Sequence, residues 1–548
     1  MTHRSGATRR SVLLAPALLA AGLTVARTAS PAAAAVQTGQ PTTSTKVTIP
    51  TRDGFTLAAT VNKPLYSEGR LPVVIMPGTF AGNTIDIDRM AVLQASRGYI
   101  AVNYTERGFG KSTGKIDAAG PLDVNDVSDV LDWVLAHTDA DPDRVGSVSI
   151  SYGAGFLPMV GVQDHRFKAL AMISGWGDLW KARYPNGTSA WASNVALYTL
   201  AETQGKPSDE VRRLFQNMIA NKYTADMKAA AALRSPMTYL PQLQKHAVPT
   251  YFSTSMNEMI WPEDQTLEFF DAYPGVKHLD ILPGDHATTE LGQPVGSPGV
   301  TWTTAFEWMD AYVGGYDDAA KGLPLIRVAP RSPTGTNILE SKLLSDYAFE
   351  GYTDLTPTAR SRQYLATSSS MFGLITKTSL ATSPGSDAKK LRMGKNLLMN
   401  QGIPMYEGAF EIVTGAPTTV PLSIVDQGVT GVWTGPELKS PLKLRGAIRS
   451  HLELVPSAAK GSVFVYLIDK APNGTAFLVG HKPYSWTGAT PGTKLPVDVT
   501  IPYNAYDVPA GHRLVFAVST DDVMYTSNNG PLATVSVGSG SYVDIPLR

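Results

Sequence analysis

The sequence has no cysteine, only nine histidines and no excess of charge of either sign. Without cysteine the protein cannot form disulfides, bind a metal through thiolates or use a cysteine nucleophile. Its 47 basic and 47 acidic residues balance, which argues against nucleic acid or an anionic membrane surface as the main partner. Beyond the amino terminus, no segment is apolar enough to span a bilayer. With 548 residues, 43% of them hydrophobic and 17% charged, the chain is expected to form two or three globular domains.

The amino terminus has the composition of an export signal. The pair Arg9-Arg10 precedes an apolar run that ends near Ala26, and Ala33-Ala34-Ala35 offers small residues for cleavage. A membrane anchor would need about 20 apolar residues, whereas this run is shorter and rich in alanine. We therefore predict a twin-arginine signal peptide over residues 1–35 and a mature, secreted chain that begins near Val36 and has no stable membrane anchor.

From residue 36 to residue 315, short apolar runs alternate with amphipathic stretches, which is typical of a mostly parallel sheet covered by helices. Thr45–Pro50 and Phe55–Asn62 are predicted to form an antiparallel hairpin at the sheet edge. Helical spacing is found over Ile87–Arg97 and Val124–His137. Six further strands are predicted, over Pro72–Met76, Tyr99–Tyr104, Val145–Ile150, Ala169–Ile173, Pro249–Ser255 and His278–Leu282. Two edge strands followed by six alternating strands predict an α/β-hydrolase domain over residues 36–315.

The stretch Val145–Gly155 changes abruptly from an apolar strand to small residues around Ser151. A nucleophilic serine on a strand-to-helix turn has a strained backbone, so the residues two before and two after it must be small. Ser149 and Gly153 occupy these positions, with serine in place of the first glycine of the usual G-x-S-x-G pattern. A Gly/Ser-rich turn without chemistry would look similar in isolation. Because the turn follows the fifth strand, where this fold carries its nucleophile, we predict that Ser151 is the nucleophile.

One histidine is well placed to be the general base. In this fold the catalytic residues follow the chain order serine, acid, histidine. His286 follows the last strand through Pro283-Gly284-Asp285, at the sheet edge where a side chain can reach back over Ser151. A lone histidine is by default structural, but His286 stands where the fold requires the base. The others lie in the signal, in the C-terminal region or at the opposite sheet edge: His3, His137, His165, His246, His278, His451, His481 and His512.

The acid is sought in the loop after the seventh strand. Glu258 lies within a few residues of the strand end, and Asp264 is an alternative in the next helix. We choose Glu258, whose carboxylate would hold the imidazole tautomer and stabilise the imidazolium. Asp285 is expected to point away from His286 or to cap its turn.

An oxyanion needs two donors, and the backbone N–H of Tyr152 is predicted to be one of them. The loop Pro77–Asn83 is similar to the glycine-rich oxyanion loops of esterases, so the second donor is Phe80 or Thr79.

The interval of about 175–246 is too long for a strand-to-helix connection and is rich in helix formers, which predicts a lid. Trp176 and Trp180, with Trp191 and Tyr198, could line a pocket there or pack the lid's own core. Asp178 could hold a cationic substrate group, or it could cap the helix that starts near Leu179.

Several motifs resemble those of the X-Pro dipeptidyl-peptidase and cocaine-esterase-like serine hydrolases. Tyr104–Gly114 resembles the family's D-x-R-G-x-G-x-S-x-G signature, and Ser151-Tyr152-Gly153 its S-Y-G element. Asn257–Pro262 is similar to its N-D-x-x-F-P element, with glutamate in place of aspartate. The tyrosine that cocaine-esterase relatives use in the oxyanion hole is not evident in the Pro77–Phe80 loop, so the resemblance implies a hole built from two backbone N–H groups.

The rest of the chain, residues 316–548, is predicted to be an all-β domain. Short alternating strands are separated by turn residues, as in Phe464–Ile468 and Arg513–Val518. Tyr352–Pro357, Leu442–Leu454, Val463–Asp469 and Ala510–Leu514 look like the family's C-terminal jelly-roll domain. Such a domain could bind carbohydrate, shape the pocket entrance, mediate dimer contacts or stabilise the hydrolase by docking on it.

The sequence thus predicts a secreted serine hydrolase that cleaves an ester or amide of a small-molecule or peptide acyl substrate, without a cofactor or metal. The alternative within the family is an X-Pro dipeptidyl-peptidase, which must anchor a free substrate amine with carboxylates. A third possibility is a non-catalytic binding protein on a hydrolase fold. Aromatic residues are plentiful in the lid, whereas carboxylates near the sixth strand are sparse, essentially Asp178, which favours esters or small acyl amides.

Overall fold

The computed structural model describes residues 39–82, 85–288, 298–333, 347–370, 375–395, 411 and 416–548. The predicted signal peptide, residues 1–35, lies outside the described residues. Within the described ranges, no helix is both long and apolar enough to cross a bilayer.

The first sheet has ten strands in the order β1-β2-β4-β3-β5-β6-β7-β8-β9-β10. Its strands are β1 (Thr42–Pro50), β2 (Thr56–Pro64), β3 (Leu71–Pro77), β4 (Ile100–Tyr104), β5 (Ala140–Ile150), β6 (Phe167–Ile173), β7 (Thr250–Ser255), β8 (Lys277–Leu282), β9 (Ile326–Val328) and β10 (Glu350–Tyr352). Strands β3 to β9 run parallel, β1 and β2 form the predicted antiparallel hairpin, and β10 pairs antiparallel with β9. The central strands are continuous apolar runs in the sequence because helices cover both faces of the sheet.

Helices flank this sheet and form the region over its carboxyl-terminal edge. They are α1 (Ile85–Ser96), α2 (Pro121–His137), α3 (Tyr152–Gln163), α4 (Leu179–Arg183), α5 (Trp191–Gln204), α6 (Asp209–Ile219), α7 (Ala225–Leu233), α8 (Leu240–Leu243), α9 (Glu263–Ala272) and α10 (Gly299–Met309). The apolar stripe predicted on α2 is buried in the main core through Val127, Val130, Leu131 and Val134. Helices α4 to α8 fall within the predicted lid interval.

The remaining strands form an all-β region. They are β11 (Ala359–Ser370), β12 (Ile375–Ala381), β13 (Lys389–Arg392), β14 (Thr430–Thr434), β15 (Leu442–Pro456), β16 (Lys460–Lys470), β17 (Ala476–Thr487), β18 (Leu495–Val508), β19 (Arg513–Ser519), β20 (Thr534–Val537) and β21 (Tyr542–Leu547). Strand β15 pairs with β18 along one edge and with β21 and then β20 along the other, so it links the parts of the region. Alternate residues of β16 enter two different buried clusters, Val463, Val465 and Leu467 in one and Phe464, Tyr466 and Ile468 in the other.

Two buried arginines join the first sheet to the all-β region. Arg331 lies just after β9, and its guanidinium donates to Glu411 and to the main chain of β17. Arg445 of β15 donates to Glu350 of β10 and to Asp507 of β18. The pairing of β9 and β10 extends the first sheet beyond residues 315 and 316, where the domain boundary was predicted. The prediction of an α/β-hydrolase fold followed by an all-β region is confirmed.

Candidate active site

Ser151 lies at the sharp junction between β5 and α3. Its backbone adopts φ 60° and ψ −117°, a conformation that is unusual for a residue other than glycine. A Cβ on Gly153 would lie 2.2 Å from Ser149 Oγ and 2.8 Å from the carbonyl oxygen of Gly78, so no side chain fits there. Ser149 Oγ donates to the carbonyl oxygen of Pro77 at 2.7 Å. This bond explains how serine is accommodated where the usual pattern has glycine.

The three residues selected from the sequence meet in one hydrogen-bonded chain. Ser151 Oγ lies 2.7 Å from His286 Nε2, and His286 Nδ1 lies 2.8 Å from Glu258 Oε2. All three side chains are buried. The second oxygen of Glu258 accepts from the backbone N–H groups of Ile260 (2.8 Å) and Trp261 (3.0 Å), so the carboxylate is oriented by its own loop. The arrangement is that of a nucleophile, a base and an orienting acid.

The other two carboxylates near this chain have different partners. Asp264, the alternative acid, lies in the first turn of α9 and accepts from Lys482 Nζ at 2.6 Å. Asp285 Oδ1 accepts from the backbone N–H of His286 (2.6 Å) and of Met259 (2.7 Å). Asp285 therefore ties the histidine turn to the loop that carries Glu258.

The loop after β3 lies against the first turn of α3. The ring of Phe80 packs edge-to-face on Tyr152, with centroids 5.2 Å apart. Thr79 Oγ1 donates to the carbonyl oxygen of Gly82 at 2.8 Å, and the Gly82 N–H donates back to Thr79, which closes a tight turn. The first N–H groups of α3, beginning with Tyr152, have no acceptor within the helix. The two predicted sources of oxyanion donors, Tyr152 and the Thr79-Phe80 segment, are thus neighbours beside Ser151.

A buried carboxyl group anchors Tyr152, the residue after Ser151. The hydroxyl of Tyr152 donates to Asp123 Oδ2 at 2.7 Å and accepts from the backbone N–H of Ala119 at 2.7 Å. Burial, together with the nearby carboxylates of Asp117 and Asp126, raises the pKa of Asp123 to about 8, against the opposing effects of the Tyr152 hydrogen bond and Arg107. The anchoring fixes the Tyr152 ring at one wall of the site.

A pocket opens between α3, the loop after β3 and the lid. Its empty volume, counted to its opening, is about 730 Å³. Most of its wall is aromatic or aliphatic and includes Phe80, Trp176, Trp180, Leu214 and Phe215. Two of its lining residues adjoin the hydrogen-bonded chain: Tyr152 follows Ser151 in the sequence, and the ring centroid of Trp261 is 4.4 Å from that of Trp176 and 6.1 Å from that of His286. Such a pocket suits an apolar group of a ligand.

Only some of the lid residues named from the sequence line the pocket. Trp176 and Trp180 line the pocket. Asp178 does not line it and is the N-cap of α4, where its side chain accepts from the Lys181 N–H at 3.1 Å. The capping alternative is therefore what the structure has, and a substrate contact for Asp178 is not supported. Trp191 is exposed, and Tyr198 packs on Phe215 with centroids 5.8 Å apart.

Sequence reasoning missed the polar groups of the pocket. Arg183 and Tyr184, at the end of α4, and Arg234, which follows α7, all line it. A short helix with a basic residue in its last turn normally exposes that residue to solvent. Nothing in the local pattern therefore distinguishes these side chains from surface ones.

Two family sequence models match the chain. The model described as X-Pro dipeptidyl-peptidase (S15 family) matches residues 53–288, which include Ser151, Glu258 and His286. The model described as X-Pro dipeptidyl-peptidase C-terminal non-catalytic domain matches residues 353–540. The chain belongs to the X-Pro dipeptidyl-peptidase and cocaine-esterase-like family. Membership confirms the resemblance seen in the sequence motifs and identifies the protein as a serine hydrolase of the peptidase or esterase kind.

Solved structures share the fold over nearly the whole chain. An aminopeptidase from the marine sediment archaeon Thaumarchaeota archaeon is 17% identical, with a TM-score of 0.68 over 95% of this chain and 99% of its own. An α-amino acid ester hydrolase is 15% identical, with a TM-score of 0.70 over 96% of this chain and 100% of its own. A CocE/NonD family hydrolase from Staphylococcus aureus is 13% identical, with a TM-score of 0.66 over 92% of this chain and 93% of its own. A comparison with curated protein sequences finds no match.

Proposed function

We propose that the protein cleaves an acyl ester or small acyl amide through an acyl-enzyme on Ser151. The observation that carries the proposal is the chain of contacts at 2.7 Å and 2.8 Å from Ser151 through His286 to Glu258. Ser151 Oγ attacks the substrate carbonyl carbon while His286 Nε2 takes the hydroxyl proton, and the carbonyl oxygen becomes an oxyanion. The C–O or C–N bond then breaks, and the leaving group takes the proton from His286. Water attacks the acyl-enzyme by the same route and releases the acid and free Ser151.

Glu258 and the backbone donors support the charges that form in these steps. Glu258 accepts from Nδ1–H of His286, which holds the tautomer that leaves Nε2 free to accept a proton. The backbone N–H groups of Tyr152 and Phe80 are the proposed oxyanion donors, with Thr79 as the alternative on the same loop. Such donors lower the barrier because they are already aimed at the position where negative charge develops.

The alternative activity, removal of X-Pro dipeptides, is favoured by the name of the matching family. It requires a group that holds a protonated substrate amine. The pocket beside Ser151 is lined by two arginines and, among the described residues, by no aspartate or glutamate. An ammonium would be buried next to like charge without a counter-ion, which is costly. The pocket therefore supports esters or small acyl amides over X-Pro peptides.

The test compares kcat/KM for a p-nitrophenyl acyl ester and for Gly-Pro-p-nitroanilide on one preparation. We expect the ester to be hydrolysed and the anilide to be released slowly or not at all. Because activated esters favour any serine hydrolase, N-acetyl-Gly-Pro-p-nitroanilide is the matched control. Rapid release of the anilide that is lost on N-acetylation would replace the esterase proposal with the dipeptidyl-peptidase one.

We also propose that the protein is exported through the twin-arginine route, from the Arg9-Arg10 pair and the alanine-rich segment after it. Replacing Arg9-Arg10 with Lys-Lys is expected to retain the protein inside the cell, measured by immunoblotting of cells and medium. Undiminished secretion of that variant would point to another route.

A further inference from the structure

Helix α4 of the lid ends at Arg183, whose buried side chain reaches the loop that carries Glu258. We call this loop, residues 256–262 between β7 and α9, the acid loop. Arg183 is 4% exposed, and its Nη1 donates to the carbonyl oxygen of Ile260 at 2.8 Å. Its Cζ lies 5.3 Å from the centroid of the Trp261 ring. A lid residue therefore contacts two consecutive residues of the acid loop.

One peptide group joins Arg183 to Glu258. The Ile260 carbonyl accepts from Arg183, and the N–H of Trp261, which belongs to the same peptide group, donates to Glu258 Oε1 at 3.0 Å. A peptide group is a dipole with its negative end at the oxygen and its positive end at the hydrogen. The cation and the carboxylate thus lie at the two favourable ends of this dipole. Hydrogen bonds in such a chain polarise and strengthen one another.

The first turn of α5 fixes the direction of the Arg183 guanidinium. Asn194 Oδ1 accepts from Nε at 2.9 Å and also from Nη2, and Ser193 Oγ accepts from Nη2 at 3.1 Å. Burial lowers the pKa of Arg183 to about 10, against the opposing electrostatic effects of Tyr184 and Glu258, so the group is charged at neutral pH. The lid therefore holds a buried, oriented cation at the carbonyl of Ile260.

Glu258 has a requirement that such a cation meets. Its side chain is 3% exposed and accepts from His286 Nδ1 and from the backbone N–H groups of Ile260 and Trp261. In the proposed mechanism it has to stay ionised, because it stabilises the imidazolium. Burial favours the neutral form of a carboxyl group, whereas a nearby cation favours the ionised form. Arg183 supplies that cation from the far end of the Ile260–Trp261 peptide group.

The second arginine of the pocket has its partners elsewhere. Arg234 donates to the carbonyl oxygens of Asp117, Ala118 and Ala230, and its Nη2 lies 3.7 Å from Glu210 Oε1. These partners lie before α2, in α6 and in α7. The contact with the acid loop is thus a feature of Arg183 and does not follow from lining the pocket.

We propose that Arg183 is a positioning residue for the proposed acid: it holds the Ile260–Trp261 peptide group so that the ionised carboxylate of Glu258 stays aimed at His286. This inference rests on the proposed hydrolysis at Ser151. Because Arg183 acts through Glu258, its loss is expected to lower kcat more than it changes KM. The lid then contributes to the reaction through the acid as well as through the pocket wall.

The first test compares Arg183→Met with Arg183→Lys on a p-nitrophenyl acyl ester. Methionine has an unbranched side chain without charge or donor, and we expect kcat to fall by roughly ten- to hundredfold while KM changes by less than about threefold. Lysine keeps the charge, so its kcat should lie between those of Arg183→Met and the wild type. The matched control is Arg212→Gln, which removes a surface lid arginine paired with Glu202 and should leave kcat unchanged. A loss that appears only in KM would overturn the proposal.

The pH profile of kcat/KM gives a readout that a purely structural role of Arg183 would not move. Without the nearby cation, the pair of Glu258 and His286 should bind a proton more tightly, so the acid-side midpoint should rise by about 0.5 to 1 pH unit in Arg183→Met. Further ionisable side chains around the acid loop are the same in both proteins: Glu263, Asp264, Asp285, Arg331 and Lys482. An unshifted midpoint would contradict the positioning role.

The double variant with Arg183→Met and Glu258→Gln separates this role from general support of the site. If Arg183 acts through the carboxylate, its replacement should change kcat by less than about threefold once residue 258 cannot ionise. A further loss as large as that of Arg183→Met alone would show that Arg183 acts by another route.

The proton between His286 and Glu258 gives a readout that needs no turnover. The low-field proton NMR resonance of His286 Nδ1–H should shift or broaden in Arg183→Met, change less in Arg183→Lys and keep its wild-type position in Arg212→Gln. If the wild type hydrolyses no ester, the proposed hydrolysis fails, and this resonance still tests the contact between Arg183 and the acid. A wild-type resonance in variants of Arg183 that circular dichroism shows to be folded would overturn the proposal.

Discussion

Ser151, Glu258 and His286 each follow a strand of the first sheet within four residues, after β5, β7 and β8. The loop that carries Glu258 is supported from outside that sheet as well. Glu258 lies on a loop that receives contacts from the all-β region. Met256 Sδ accepts from the Ala505 N–H at 3.2 Å, and Met259 packs with Met524. The turn at Ser151 is thus formed by residues close in sequence, whereas the loop of Glu258 depends on a distant part of the chain.

Arg331 is central to that distant support. With its amide oriented to satisfy its neighbours, Asn257 accepts from Arg331 Nη1 at 2.9 Å and from Nη2 at 3.2 Å, and donates to Val479. The same guanidinium pairs with Glu411 at 2.7 Å. Asn257 has a φ of 66°, a left-handed conformation that asparagine tolerates better than most residues. The loop before Glu258 is therefore held in its turn by a buried charge from outside the first sheet.

The largest effect on kcat is expected from loss of the proposed base. His286→Ala removes the proposed base, and kcat should fall by roughly three to six orders of magnitude because Ser151 can no longer transfer its proton. The measurement is kcat on a p-nitrophenyl ester, with circular dichroism to show that the fold is kept. A loss of less than about tenfold would contradict the role of His286.

Loss of the proposed acid is expected to lower kcat somewhat less. Glu258→Gln should lower kcat by roughly two to four orders of magnitude, because the imidazole tautomer and the imidazolium lose their support. Asp264→Asn is the matched control, since Asp264 pairs with Lys482 and its loss should change kcat by less than about tenfold. Greater damage from Asp264→Asn than from Glu258→Gln would show that the acid has been misassigned.

The fold and the positions of Ser151, Glu258 and His286 could be predicted from local sequence. The eight strands predicted before residue 315 agree with the structure to within a few residues, except for the extended start of β5, because strands buried on both faces are continuous apolar runs; β9 and β10 of the same sheet were not predicted. Chain order and strand ends were enough to select Ser151, Glu258 and His286, which the structure brings together. These signals work because the carboxyl ends of parallel strands share one edge.

The remaining features of the site could not be predicted from local sequence patterns. The contact between Asn257 and Arg331 joins residues more than 70 positions apart, and no periodicity encodes such a pair. Arg183 lies in the last turn of a five-residue helix, where solvent exposure is the usual outcome. The sequence could not decide whether Asp178 binds a substrate group or caps a helix, because a carboxylate at a helix start can do either. Only the packing of the lid distinguishes the two.

Removing the contacts of Arg331 with the Glu258 loop should lower kcat moderately, and this effect should depend on Glu258. Arg331→Met leaves Glu411 buried without its partner and releases the turn at Asn257, so we expect kcat to fall about tenfold together with a lower melting temperature. Arg362→Gln removes an exposed pair with Asp544 in the same all-β region and should change neither quantity appreciably. In the background of Glu258→Gln, Arg331→Met should no longer lower kcat, because its effect acts through that carboxylate. Full additivity of the two losses would contradict the proposed support.

The smallest effect is a pH-dependent one next to the same loop. Burial raises the pKa of Glu263, whose carboxyl accepts from the Asn257 N–H at 3.3 Å, from 4.5 to about 8. The folded protein keeps this proton until about pH 8 while the unfolded chain releases it above 4.5, so the contribution of Glu263 to stability falls between these values and stays low above them. Glu263→Gln cannot ionise, and its melting temperature relative to wild type should rise by roughly 1–3 °C between pH 5 and pH 9. A difference that is constant over this range would show that Glu263 is ionised in the fold throughout.

The most direct test of the central claim is covalent labelling of the protein by a fluorophosphonate probe. The account predicts one modified residue, identified as Ser151 by peptide mass spectrometry, with labelling abolished in Ser151→Ala and much slower in His286→Ala. Labelling that persists at wild-type rate in a folded Ser151→Ala variant, or that maps to another serine, would contradict the assignment of Ser151 as the nucleophile.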